Sequence, residues 1–199
     1  MKKISIITIA VVAAVLFGAC RSNKAASADN SRSPFKGNTY EVPCQELDSD
    51  TEFGATGIYK GNANQMGDLQ LYALQNAQQM VRRKLQHSYK GMVSDFNTSY
   101  GGNAGNDIMN KITSAGDQAI NAMINDTRAT CVRFSDVDDR GDVTCFVGIR
   151  ISKQAVAKEV ANRVNNVLSD DEKMRIRFEE KKYREEYEQR MKNFSDNGQ

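Results

Sequence analysis

The chain has 199 residues, with 27 Lys and Arg against 25 Asp and Glu, for a formal net charge of +2. Lys2 and Lys3 account for the excess; without them 25 basic residues face 25 acidic ones, and the overall balance singles out neither nucleic acid nor anionic lipid as a partner. The length suits one domain with appendages, while a single His and no Trp narrow the options for acid–base catalysis and for sugar-stacking platforms.

The first segment predicts export. After Met1-Lys2-Lys3 an apolar run extends from Ile4 to Phe17, broken only by Ser5 and Thr8. It is too short for the ~20 residues of a membrane-spanning helix and ends in the small residues Gly18 and Ala19, as a cleavable signal does. The stretch "VLFGAC" is similar to the lipobox of bacterial lipoproteins, with Phe17 where Leu is usual. Residues 1–19 are therefore expected to be removed, and Cys20 to become the first mature residue and carry the lipid, palmitate or a like chain. Residues 20–37, rich in Ser, Ala and Asn, read as a flexible tether.

Residues 38–168 carry the patterning of a folded domain. "TYEVPCQEL" predicts a short strand ending near Pro43, and "FGATGIYKGNAN" a second with Gly61 at its exit. From Met66 to Phe96 the period becomes helical, with Leu74, Ala77, Val81, Leu85, Ser88, Met92 and Phe96 on one stripe and Arg83, His87 and Lys90 opposite. "SYGGNAGND" breaks the pattern and offers Asn106 or Asp107 as an N-cap for a second helix bearing Ile108, Ile112, Ala115, Ala119 and Met123. Val143, Cys145, Val147, Ile149 and Ile151 alternate as a half-buried strand, paired through the turn "DVDDRG" with Thr130 to Phe134. One-face placement pairs Val132 with Cys145 and turns Cys131 away. Cys44, Cys131 and Cys145 allow at most one internal disulfide; Cys131–Cys145 would need a bulge or register shift, and a partner for Cys44 is at least as favourable.

Ser152 caps the next helix, with Val156, Val160, Val164 and Val167 as its stripe. Ser169 and Glu172 form a capping-box pattern that opens a charged helix to Phe194, within a C-terminal segment 169–199. Ile176, Tyr183, Tyr187, Met191 and Phe194 recur there at helical spacing and mark a candidate contact for a protein partner. The expected fold is α+β: a small antiparallel or mixed sheet of about four strands with helices on one face, plus this charged helix.

The order of lipobox, "EVPCQE", "ATGIYKG", "ALQNAQQMVRRKLQHSYKGMVSDF", "YGGNAGNDIMNKI" and "ATCVRFSDVDDRGDVTCFVGIRIS" resembles the bacterial outer-membrane lipoproteins of the LPP-twenty type, in the form found in the Bacteroides group. The resemblance covers residues 38–167 and rests on packing motifs. It implies a small α+β domain anchored at the outer membrane with a role in envelope integrity, and it carries over no catalytic residues.

The chemistry-bearing residues point the same way. Any Ser/His or Cys/His dyad must use His87, which sits among Arg83 and Lys90 on the polar side of its helix. "DVDDRGD" mimics the start of a calcium loop, but Arg140 and Val147 occupy ligand positions. The reading is a non-enzymatic envelope lipoprotein without metal, cofactor or nucleic acid, held by lipid on Cys20 and contacting envelope proteins; the alternative is a periplasmic glycan, peptidoglycan or small-ligand binding module. The sequence leaves the oligomeric state open. "RSNKAAS" brings no acid before Asp29, so the domain is expected to face the periplasm. Protease added to intact cells should leave it uncut and should digest it once the outer membrane is opened; digestion on intact cells would place it outside.

Overall fold

The computed structural model describes residues 41–196, of which those from Val42 onward belong to one compact unit, Val42–Gln199. The elements are β1 (Glu52–Asn62), a 3-10 turn (Ala63–Gln65), α1 (Met66–Asn125), β2 (Cys131–Phe134), β3 (Asp142–Ser152), α2 (Lys153–Val167), α3 (Asp170–Arg175) and α4 (Glu180–Asp196). The fold is α+β, with one antiparallel three-stranded sheet in the order β1-β3-β2. Among the described residues of the stretch around Pro43, from 41 onward, the expected strand does not form; they run as irregular chain over the sheet.

The sheet divides its residues cleanly. Phe53, Ala55, Val143, Cys145, Val147, Ile149 and Ile151 belong to the buried helix-facing side, and β1 pairs with β3 along its whole length, from Glu52 opposite Ser152 to Asn62 opposite Asp142. On the other strand, Val132 lies opposite Val147 and Phe134 opposite Cys145. This register is two residues from the expected one, which keeps every side chain on its expected face.

Small residues let α1 come close to β1. A Cβ on Gly57 would lie 1.9 Å from the Ala73 carbonyl oxygen and 2.5 Å from the Ala77 nitrogen, so only glycine fits there. Further along, α1 breaks at Gly105 (φ 75°, ψ 158°) and reverses. Its two arms lie antiparallel, joined by hydrogen bonds from Gln78 to the Ile124 and Thr127 carbonyls, from Arg82 to Asn125 and from Tyr89 to the Ile112 carbonyl. The expected break is real, but the glycines at 101 and 102 stay helical and the turn falls at the end of the stretch.

At the C-terminal end Ser152 caps α2 through the Ala155 amide, and Ser169 with Glu172 forms the full capping box of α3. Glu172 also pairs with Lys111 at 2.6 Å, which with the Ser169 amide holds its carboxyl down to about 2. The expected single helix from Ser169 to Phe194 does not form. α3 lasts six residues, and Arg177 in the left-handed region (φ 52°) turns the chain before α4 begins. Replacing Gly57 by Ala should destabilise the domain at the upper end of the ~1–3 kcal/mol typical of overpacking. Gly67→Ala, where an added Cβ meets nothing within 4 Å, should range from neutral to stabilising by about 1 kcal/mol. Urea denaturation of the two variants measures both.

Candidate functional site

Several of the groups that could do chemistry make structural contacts. His87 is exposed on α1, with its ring 5.3 Å from that of Phe194. The turn carboxylate Asp138 accepts the Arg140 and Asp142 amides and binds Lys60 at 2.7 Å, and the Lys60 contact above all keeps its carboxyl well below the usual range. Tyr89, Tyr183 and Tyr187 are buried, and desolvation pushes their hydroxyls well above the ordinary phenol range. They act as hydrogen-bonding groups: Tyr89 donates to the Ile112 carbonyl, lies 3.2 Å from the Tyr183 hydroxyl, and Tyr187 donates to the Leu85 carbonyl. Cys145 is a buried thiol on the central strand, its pKa raised by burial.

Those tyrosines correct the expected partner surface. Ile176, Tyr183, Tyr187 and Met191 are at most 2 % exposed, and Phe194 packs against the same core, 6.1 Å from the Phe53 ring. The apolar seam of α4 is spent inside the chain, against α1 and α2. Residues 169–196 complete the domain instead of standing apart from it. Spacing alone showed that one face had to be covered; it could not distinguish an outside partner from the chain's own helices.

The outward face of the sheet is covered differently. Residues 42–48 cross it as a strap, fastened covalently by the disulfide Cys44–Cys131 (Cα–Cα 5.5 Å). Of the pairings open to three cysteines, the sheet selects this one because Cys131 faces away from the helices, opposite Gly148 and on the side the strap crosses, while Cys145 faces them. Gly54 and Gly148 carry no side chain where the strap passes; a Cβ on them would lie 2.6 Å from the Leu47 oxygen and 2.9 Å from the Cys44 oxygen respectively. Thr56 clasps the strap twice, donating its hydroxyl to the Cys44 carbonyl and accepting the Glu46 amide. Glu46 binds Arg150 and Thr130, and the Arg150 guanidinium is pushed up by that carboxylate. Asp48 accepts the Gly54 amide and pairs with Lys84 at 2.7 Å. Sequence reading missed this strap, although Gly54 in β1 and Gly148 in β3 marked where backbone had to approach.

Between the strap, the outer edge of β1 and α1 lies an open groove of about 550 Å³. Leu47, Ile58, Met80, Lys84 and Phe194 are among its lining residues. Leu47, Ile58 and Met80 are 67 %, 45 % and 46 % exposed, which leaves an apolar surface here although the α4 seam turns inward. Cys20 and the tether lie outside the described residues.

No family model, curated protein or solved structure matches the chain.

The disulfide joins residues 87 apart, and by loop-closure entropy its removal should cost about 4 kcal/mol. Guanidine denaturation with and without reductant should show a loss of that order, and Cys44→Ser with Cys131→Ser should make the protein insensitive to reductant.

Proposed function

We propose that this chain is a lipid-anchored envelope lipoprotein with a non-catalytic, protein-interaction role at the outer membrane, its domain facing the periplasm. The lipid sits on Cys20, and residues 21–41 span from it to the strap. Each buried methylene contributes ~0.8 kcal/mol, and stable attachment takes more than one acyl chain.

The observation that carries the reading is the Cys44–Cys131 bond, formed two residues after the domain begins. A disulfide that fastens the first stretch of a fold is suited to an oxidising compartment, which agrees with the signal-like segment before Cys20. A non-catalytic role is supported by the contacts these groups make: the Asp138 carboxylate holds a turn, Tyr89 and Tyr187 dock helices, and the exposed His87 ring lies beside Phe194. The resemblance to LPP-twenty-type lipoproteins fits the same address.

Mass analysis of the mature protein should find Cys20 at its N-terminus carrying fatty acid, and the protein should partition into detergent. Cys20→Ser should abolish both. A mature chain free of fatty acid and released when cells are gently broken overturns the reading.

A further inference from the structure

The free edge of β1 presents a partly unpaired ladder. Backbone bonds from Lys153 to Thr51 and from Ala63 to Gly141 show that odd-numbered residues of β1 bond toward β3, so the even-numbered ones point outward. Side chains cover part of that row: Asp48 takes the Gly54 amide, Lys84 donates to the Gly54 carbonyl and Asn76 donates to the Ile58 carbonyl. The Thr56 amide and carbonyl and the Ile58 amide have no such partner among the described residues. They lie beside the apolar groove, and the strap's double clasp on the Thr56 hydroxyl holds that backbone in place.

We infer that this groove binds an extended, uncharged peptide strand of a partner protein, which adds to the edge of β1 at Thr56 and Ile58. Three features select that occupant. An alternating donor and acceptor pair on a strand edge is matched by another strand, whereas a helix has its backbone groups already bonded. The charges in the lining are already paired, Asp48 with Lys84 within it and Glu46 with Arg150 outside it, so a charged partner residue would lose hydration there without gaining an opposite charge. Leu47, Ile58 and Met80 provide apolar contacts for side chains flanking the added backbone. Where α4 was expected to meet a partner, β1 takes that part; the inference thus names the partner class for the interaction role proposed above. Strand addition is tested without lipid, so its failure leaves the anchor untouched.

The test uses the mature chain carrying Cys20→Ser and a capped hexapeptide of alternating Thr and Val. In NMR titration the expected result is saturable shifts at Leu47, Thr56, Ile58 and Met80, with exchange of the Thr56 amide slowed at least tenfold. The same peptide N-methylated at alternate residues, unable to complete the ladder, should not bind. Leu47→Asp with Met80→Asp should weaken binding at least tenfold while leaving Tm unchanged, because both side chains are exposed. Equal binding of the N-methylated peptide, or no saturable shift at Thr56, overturns the proposal. So does a Thr56 amide already protected in the free chain, whether the protection grows with protein concentration (a second copy) or vanishes on deleting residues 21–40 (the chain's own tether).

Discussion

The fold depends on how closely α1 lies over β1. Gly57 faces the Ala73 carbonyl with no room for a methyl group, and Ala73 and Ala77 are fully buried against it. Small residues on both sides bring two backbones together, so dispersion acts over a long, continuous contact. This contact also fixes which way the sheet faces. Once Phe53, Ala55, Val147 and Ile149 are committed to the helices, Gly54, Gly148, Thr56 and Arg150 must face the other way.

From that division follow two different coverings. On the helical side, α4 closes the core with Tyr183 and Tyr187, whose rings fill volume and whose hydroxyls meet the Tyr89 hydroxyl and the Leu85 carbonyl of α1. Burying a phenol is tolerable there because each hydroxyl finds a partner. On the other side no helix is available, and a seven-residue strap from Val42 to Asp48 does the work with one covalent bond, a threonine clasp and two ion pairs. Because the strap immediately precedes β1 in the chain, the route from the proposed lipid anchor into the sheet runs through it. The edge of β1 is left between these coverings, guarded by Asp48, Lys84 and Asn76 at some positions and open at others.

The strand alternation of β3, the alanine stripe of α1, the Ser152 cap and the Ser169–Glu172 box were legible because each is local: period and capping geometry depend on residues a few positions apart. The short strand at Pro43 was misread because an extended, partly apolar stretch has the same signature whether its hydrogen bonds go to a neighbouring strand or, as here, to a threonine side chain. The helix from Ser169 was read too long because "MRIRFEE" contains no Gly or Pro; only docking of Ile176 and Tyr183 into the core makes the left-handed turn at Arg177 worth its cost.

By itself the sequence determined the α+β class, the order and capping of most elements, and which apolar faces must be hidden. It also limited Cys44, Cys131 and Cys145 to one bridge among themselves. Tertiary structure decided what hides each face: that Tyr183, Tyr187 and Met191 meet the chain's own helices, that Cys44 reaches Cys131 across the sheet, and that the Thr56 backbone meets no partner among the described residues. The reason is that an apolar stripe or a thiol specifies a need for a partner through its own chemistry, while the identity of that partner depends on distances between segments far apart in the chain.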